Sequence, residues 1–526
     1  MKLNSVQEFY KDKTIFITGG SGFMGKVLIE KLLYSCSDVK ELIILMRPKK
    51  GKTAQQRVDD FAKLPMFKRL LDEKPEMMLK IFPVWGEITQ QNLGLSEEHL
   101  ERVIQKSQIV FHFAASLKLE ATLRHNVLMN LTGTQNVMKI AKQMKNLVQM
   151  VHLSTAFCCE DIEILEERVY DHPHSPHDLI RCAEWMSDEA MAAIQNDILG
   201  SQPNTYTYTK RLSEILVREQ YDSEKFPIII VRPSIVSPAF REPLPGWVDS
   251  LNGPPGIFYA AGMGVLRSML IDPEGMIEGI PVDACINGIL TLTKHVATEK
   301  RSKEIPVFNA TIHESRRISN GRMFKYAKEL GNMYPVTGLW YPDGSITESV
   351  YIHKLKTFFF QWIPAYFIDF LLLCFGQKRF MVYVQKRIQI GLQVLQFFTM
   401  HKWNFKSENF NGLTALQTPD EAEMFLFDSR NTGDEKEYLK NSLLGARQYC
   451  VKDPLSTLPR ARLILKIQYV VHIFCKFMFW YFVISFLLRA TGLMEPVHEF
   501  ITSLKQSVHG YNSSSSIVGL VGLNTL

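Results

Sequence analysis

The chain has 526 residues, 46% of them hydrophobic and 22% charged, with a formal net charge of +6. That length is too great for one ordinary domain, and the mild excess of base, without any RNA- or DNA-binding motif, argues against nucleic acid as a partner. Eight scattered cysteines form no C-x-x-C pair and no Cys/His cluster, which argues against a disulfide framework and a structural metal.

Met1–Glu8 lacks an apolar stretch, so no secretory signal is expected at this end. Thr14–Ile17 reads as a strand, Thr18–Gly25 (TGGSGFMG) as a glycine turn, and Lys26–Leu33, apolar at helical spacing, as a helix. Strand, glycine turn and helix are the setting of a dinucleotide-binding fingerprint. Gly19, Gly22 and Gly25 recur three apart: one for the tight turn, one for close approach of a pyrophosphate, one for helix–strand packing. Thr18, Gly19, Ser21, Gly22, Phe23, Met24 and Gly25 are the candidate phosphate loop, with the first helix amides facing the anion. An ordinary Gly-rich loop would look the same in isolation, so the segments that follow have to decide.

Glu41–Met46 reads as the second strand and ends in Arg47-Pro48-Lys49-Lys50-Gly51-Lys52. An acid at this point would bind a ribose 2′-hydroxyl. This chain has cations instead, so Arg47 is expected to pair with a 2′-phosphate and the cofactor to be NADPH rather than NADH. The third strand, Lys80–Trp85, leads into Gly86-Glu87-Ile88, where Glu87 could accept from an adenine amine and Ile88 would sit beside it. The fourth, Gln108–Phe113, runs into Ala114, Ala115 and Ser116, small enough for the backbone to close over a dinucleotide. His112 is read as a satisfied structural histidine. Thr122–Met144 is amphipathic, with Asn126 and Asn130 on one face. The fifth strand, Leu147–Leu153, ends at Ser154-Thr155-Ala156, and a sixth is expected at Pro227–Val231. Alternating strands and helices at this spacing predict an α/β fold, a Rossmann-type doubly wound parallel sheet with its ligands at the strands' carboxyl ends.

Tyr206 and Lys210 stand at i and i+4 on the next helical run. A free tyrosine titrates near ~10, and a neighbouring ammonium is expected to lower that value and fit the phenol for proton transfer. The hydroxyl of Thr155 completes a hydrogen-bonding pair around a substrate carbonyl oxygen. Tyr206, Lys210 and Thr155 are therefore the candidate catalytic set. Tyr208 has Leu212 at i+4 and lacks a lysine.

With these residues in view the chain resembles the extended short-chain dehydrogenase/reductases, and within them the animal, insect-like, alcohol-forming fatty acyl-CoA reductases. The matching stretches are TGGSGFMG at 18–25, HLSTA at 152–156, NTYTYTK at 204–210, VRPSIV at 231–236 and PGWVDSLNGPPG at 245–256. Glu184-Trp185-Met186, Gly262–Arg267 and Pro281-Val282-Asp283 extend it toward residue 300. More loosely it continues through a "sterile"-type C-terminal helical domain at 355–450. Two departures stand out: Gly19-Gly20-Ser21 replaces a threonine-alanine-threonine turn, and Phe157, followed by Cys158-Cys159, replaces a tyrosine often found after STA.

The resemblance implies reduction of a long-chain fatty acyl-CoA by NADPH, through a thiohemiacetal that loses CoA and an aldehyde that is reduced to the alcohol. Tyr206 would protonate the oxyanion with Thr155 as second donor. Lys210 would tune Tyr206 and hold the nicotinamide ribose, while Ser154, Pro233 and Ser234 would border the cofactor. A cysteine acyl-enzyme through Cys158 or Cys159 is the less favoured chemistry, because no histidine base stands beside them. The alternatives are a membrane-bound hydroxysteroid or sugar-nucleotide dehydrogenase of the same superfamily, and a cofactor-sensing scaffold without catalysis.

Lys356–Phe375 is nearly long enough to span a bilayer, but Pro364 and Asp369 argue for an interfacial element or second-domain helices instead. Tyr469–Leu488 has twenty residues, about the ~20 a span requires, although His472 and Lys476 are costly inside it. A re-entrant or buried hairpin is the alternative. Arg460, Arg462 and Lys466 precede it and Arg489 follows nearly alone, so the positive-inside rule places the catalytic bulk in the cytosol, at the endoplasmic reticulum or peroxisome. The Asn512-Ser513-Ser514 sequon would then be luminal, and the Asn130 and Asn309 sequons unmodified. The expected division is a catalytic Rossmann domain at 1–300, a connecting segment at 301–354, the helical domain at 355–450, a transmembrane helix at 467–489 and a tail at 490–526. Membrane lipid is an expected partner, no metal is expected, and a homo-oligomer is left open.

Overall fold

The computed structural model describes residues 5–48, 51–431, 433–491 and 502–503. Its core is a seven-stranded, wholly parallel sheet of β1 (Thr14–Thr18), β2 (Glu41–Met46), β3 (Ile81–Trp85), β4 (Ile109–His112), β5 (Gln149–Leu153), β6 (Ile228–Pro233) and β7 (Val307–Ala310), in the order β7-β6-β5-β4-β1-β2-β3. The strands are apolar runs because both faces are covered, as a parallel sheet requires. Ile15 and Ile17 of β1 pack on one face with Val27, Leu28 and Leu32 of α1 (Phe23–Ser35), and Phe16 packs on the other with Val110, Leu212 and Leu216. The order reverses between β1 and β4, where Thr18 stands level with His112. A crevice therefore opens at the strands' carboxyl ends.

The first six strands fall within two residues of their expected places. β7 differs, because it comes from the segment expected to be a connector and pairs Val307–Ala310 with Ile230–Pro233 of β6. Four residues show no readable period, and only the edge of β6 defines them as a strand. The amphipathic run at 122–144 also differs: a π-helical turn at Val127–Thr132 interrupts it and carries Asn130. Thr205–Glu224 forms α2, capped by Asn204, whose side chain accepts from the Thr207 amide.

The C-terminal region is stitched to the sheet rather than hung from it. Glu167 accepts from the amides of Asn309 (2.9 Å) and Asn409 (2.6 Å), joining β7 to the helical region. Near the other terminus, Glu421 accepts from the Val6 amide at 2.7 Å and pairs with Lys294 at 3.0 Å. The aromatic run forms one continuous helical element, Val350–Cys374, and α3 (Met381–Met400) folds back against it. The last long helix, α4, covers Leu458–Ala490. Of its two costly residues, His472 faces protein, 3.2 Å from Asp343, while the half-exposed Lys476 reaches the same carboxylate at 3.7 Å. The Asn512 sequon lies outside the described residues, as do Lys49 and Lys50.

Candidate active site

The glycine turn makes a cradle that side chains would fill. Gly19 has φ +77°, and a Cβ there would come within 2.6 Å of the Ala114 amide nitrogen. A Cβ on Gly25 would meet the Gly19 carbonyl oxygen at 2.3 Å, so α1 can approach β1 only as glycine. Gly22 is the N-cap of α1 and supplies no side-chain hydrogen bond, which leaves the first-turn amides of Phe23 and Met24 at the cleft edge without a side-chain cap. Ser21 is half-buried beside them. Thr18 is placed differently from expectation. Its hydroxyl is turned inward, 2.7 Å from His112 Nδ1, and accepts from the Ala114 amide at 3.3 Å.

That bond defines the role of His112. Thr134 donates its hydroxyl proton to the Asn130 carbonyl, so His112 Nε2 donates to Thr134 at 3.1 Å, and Nδ1 accepts from Thr18. Burial pushes its pKa down to about 3, with the Lys210 charge acting in the same direction. The ring is a neutral structural link.

Beyond the cradle, Arg47 is exposed at the end of β2. Arg57, four residues into the capped helix Ala54–Ala62, donates from Nη1 to the Arg47 carbonyl at 2.7 Å. Burial, then the Arg47 charge, lower its pKa. Two guanidinium groups therefore stand where one was expected, and an arginine ten residues after Arg47 was the available signal. Ile88 is packed against Gly133, and its carbonyl accepts from Asn136, so its side chain serves packing. Glu87 Oε1, Ser154 Oγ and Ser234 Oγ are buried without a hydrogen-bond partner. Unpartnered polar atoms are rare in folded interiors. These three follow β3, β5 and β6 at the same carboxyl end of the sheet as the glycine turn, with Ala114 and Ala115 after β4 and Pro233 ending β6, a set that fits a dinucleotide.

The Tyr206 helix is held by its neighbour along a matched pair of turns. Asn126 Nδ2 donates to Thr205 Oγ1 at 2.7 Å, and Asn130 Nδ2 donates to Thr209 Oγ1 at 2.9 Å. Each threonine sits one residue before a candidate catalytic residue, so the two asparagines fix the height and rotation of Tyr206 and Lys210. Lys210 Nζ donates to the Leu153 carbonyl at the end of β5, at 2.6 Å. Burial lowers its pKa to about 8, with Glu214 opposing the shift.

Tyr206 stands close enough to Thr155 for the threonine hydroxyl to act on its titration. The Thr155 oxygen also accepts from the Phe157 amide at 3.3 Å. The expectation that Lys210 pulls the phenol down is corrected here. Burial raises the Tyr206 pKa, and the Thr155 hydroxyl only partly opposes it. The ammonium is instead committed to the Leu153 carbonyl. Tyr206 is thus a protonated phenol at neutral pH, an acid rather than a base.

Cys158 is buried, its Sγ 3.5 Å from Glu214 Oε1 and 3.6 Å from Cys159 Sγ. The bond with Cys159 and burial both raise the thiol pKa, which disfavours the nucleophilic thiolate. Glu214 is bound elsewhere too: Arg232 of β6, fully buried, donates Nε and Nη2 to it at 2.8 and 2.5 Å and two further bonds to the Glu166 and Arg168 carbonyls. One charged residue in an apolar strand was the signal for this clamp. Phe157, the departure after STA, fills a cage of Phe398, Trp403 and Phe405 with ring centroids 4.9–5.7 Å away, so the C-terminal region walls the cleft beside Thr155.

Two family models match the chain, both described as "Male sterility protein": NAD_binding_4 over residues 17–289 and Sterile over residues 360–453. Fatty acyl-CoA reductase 1 of Rattus norvegicus is 35% identical over 87% of this chain and 88% of its own length. Fatty acyl-CoA reductase 2 of Mus musculus is 31% identical over 98% and 99%. Among solved structures, the terminal R domain of the myxalamid PKS-NRPS pathway superposes with a TM-score of 0.54 at 16% identity, covering 83% of this chain and 91% of that one. The reductase domain of a nonribosomal peptide synthetase from Mycobacterium tuberculosis gives 0.52 at 16%, covering 83% and 93%. These two show a shared fold.

Proposed function

The chain belongs to the fatty acyl-CoA reductase family, oxidoreductases with a nicotinamide-binding domain, and from that premise we propose that it reduces a long-chain fatty acyl-CoA to the primary alcohol with NADPH. The observation that carries the proposal is the grouping of Tyr206, Thr155 and Lys210 at the end of β5, on the same edge of the sheet as the glycine cradle.

A bound reduced nicotinamide supplies hydride. The first-turn amides of α1 would hold its pyrophosphate, Glu87 its adenine, Arg47 and Arg57 its 2′-phosphate, and Lys210, Ser154 and Ser234 its nicotinamide half. Tyr206 donates its proton to the substrate oxygen as negative charge gathers there, and Thr155 donates a second hydrogen bond. The thiohemiacetal would then return its hydroxyl proton to the Tyr206 phenolate as CoA leaves as the thiolate, giving an aldehyde, and after exchange of the oxidised cofactor for a second NADPH the aldehyde oxygen would meet the same two donors for the second reduction. The fatty acyl-CoA reductases that match most of this chain favour this reading over a hydroxysteroid or sugar-nucleotide dehydrogenase.

In this reading residues 1–300 form the catalytic unit, 301–354 connect it onward while completing the sheet, 355–450 cover the acyl side, and 467–489 anchor the chain. The catalytic face is cytosolic at the endoplasmic reticulum or peroxisome.

The test is the full chain in proteoliposomes with palmitoyl- or stearoyl-CoA and NADPH, measuring fatty alcohol and free CoA thiol. Tyr206→Phe is expected to lower kcat by about 10²–10⁴-fold, the usual worth of a positioned proton donor. Arg47→Glu is expected to raise the KM for NADPH far more than that for NADH. No NADPH consumption at any chain length would overturn the reaction, and equal KM changes would overturn the role of Arg47.

A further inference from the structure

Val350–Cys374 passes every test of length and composition for a membrane span: 25 residues, about 37 Å of helix against the ~30 Å of a hydrocarbon core. Its outward face suits lipid, but its inward face is polar and occupied. Thr357, Gln361, Ala365 and Asp369, four residues apart, form a stripe that is 6%, 2%, 1% and 7% exposed. Phe359, Phe360, Ile363, Tyr366, Phe367 and Phe370 on the opposite side are 44–59% exposed. Polar and small residues turn inward and aromatics turn outward, the reverse of a helix on a water-facing surface.

The inward stripe is bonded to the body of the protein. Gln361 Oε1 accepts from the amides of Arg267 and Ser268 at 2.9 and 3.2 Å, and its Nε2 donates to Gln385 of α3 at 3.2 Å. Ser268 Oγ lies 3.0 Å from His353 Nδ1 near the start of the helix. Near its end, Asp369 accepts from the amides of Phe380, Met381 and Val382 at 2.9–3.0 Å and caps α3. The helix is thus fastened along its whole length to one side of the molecule. Crossing a bilayer would strip these bonds from buried groups with no water to replace them.

We propose that Val350–Cys374 lies flat in the membrane interface, on the same side as the catalytic domain, as an in-plane docking surface for a bilayer with anionic headgroups. The occupant is identified by two observations. The aromatic face is continuous with the exposed apolar surface of α4, through Phe360 and Phe479 at 6.0 Å between ring centroids. The turn that follows the helix exposes Phe375 and Phe380 around Lys378 and Arg379, and the only acid in 349–380, Asp369, is turned inward. Aromatic rings bracketing cations suit the boundary between acyl chains and anionic headgroups. Because Phe479 lies midway along 467–489, the proposal requires α4 to lie in the membrane alongside this helix rather than to cross it upright, and it is independent of the reaction catalysed.

The test uses the full chain with Cys374→Ser and Cys475→Ser, reconstituted into phosphatidylcholine vesicles with and without phosphatidylserine. Single cysteines at Tyr351, Phe367 or Phe375 carry an environment-sensitive fluorophore, and one at native Cys475 reports on α4. The expected result is that Phe367 is quenched by lipids brominated near the headgroup, while Tyr351 and Phe375 are both bleached by a membrane-impermeant reductant from the catalytic side, at rates within about threefold. Phosphatidylserine should blue-shift the Phe375 label, and Lys378→Glu with Arg379→Glu should abolish that shift. A Phe375 label protected until the vesicles are opened would show a span and overturn the proposal. A Phe367 label blind to lipid while the Cys475 label responds would show that protein, a second copy included, covers the face, and would overturn it equally. Neither result would bear on the reductase reading, which alcohol production measures separately.

Discussion

The strand-end cleft and the C-terminal helices obey opposite rules. Around the cleft, apolar side chains are buried and the buried charged and amide groups that hold it together are paired: Lys210 on the Leu153 carbonyl, Arg232 on Glu214, Asn130 on Thr209. In Val350–Cys374 the large apolar residues lie outside and a polar stripe lies inside, and α4 exposes its apolar residues almost throughout while turning His472 toward Asp343. The same residue types are sorted differently, apolar inward around the sheet and apolar outward on the helices, as the proposed membrane contact would require. The contrast joins at Phe157, where aromatic rings of the C-terminal region close on the segment next to Thr155.

The largest effect expected from this contrast is in stability. Phe111, wholly buried in the sheet core, should lose about 3–5 kcal/mol as Phe111→Ala, the ordinary consequence of emptying a packed core site. Phe367, 58% exposed, should lose no more than about 0.5 kcal/mol as Phe367→Ala in detergent solution. Denaturant unfolding of the two variants in the same micelles makes the comparison. A large loss at Phe367 would mean that its ring packs on protein and that the helical region is an ordinary domain.

A second prediction separates stability from activity at the lysine. Burial holds the Lys210 pKa near 8 in the folded protein, below the ordinary lysine value. Above pH 8 the folded chain therefore binds fewer protons than the unfolded one, so this group adds stability as pH rises from about 8 toward the ordinary value. Activity should move the other way, with kcat/KM falling above about pH 8 as the ammonium is lost. The wild type should thus grow more resistant to urea, relative to Lys210→Met, over the interval in which it grows less active. Parallel curves for the two proteins would mean that Lys210 titrates elsewhere.

Much of this was legible because it is local. Glu41–Met46 declared itself as a strand by its run of apolar residues, and the i, i+4 spacing of Tyr206 and Lys210 placed both on one helical face. What stayed hidden was set by residues far apart in the chain. Asp343 is 129 residues from His472, so nothing near His472 in sequence announced its partner. β7 is a strand only because β6 lies beside it. The Tyr206 pKa depends on burial, and a motif carries no record of burial. The stretch 357–375 looked like a near-span because hydropathy averages over a helix, whereas the stripe at 357, 361, 365 and 369 depends on which face is met.

The smallest expected effect tests how the cleft holds its helix. Asn126 and Asn130 make parallel bonds to Thr205 and Thr209, yet they are not equivalent. Asn130 is satisfied at both ends, since its Oδ1 accepts from the Ser116 amide at 2.9 Å. Asn126 Oδ1 is buried without a partner. Removing Asn130 strands the Ser116 amide next to Ala115, so Asn130→Ala should cost about 1–3 kcal/mol. Removing Asn126 strands no amide and deletes an unpaired oxygen, so Asn126→Ala should cost less than about 1 kcal/mol. If both asparagines serve mainly to set the height of Tyr206, kcat should nonetheless fall by similar factors in the two variants while their urea midpoints differ. A kcat loss that tracks the stability loss would assign the pair to packing alone.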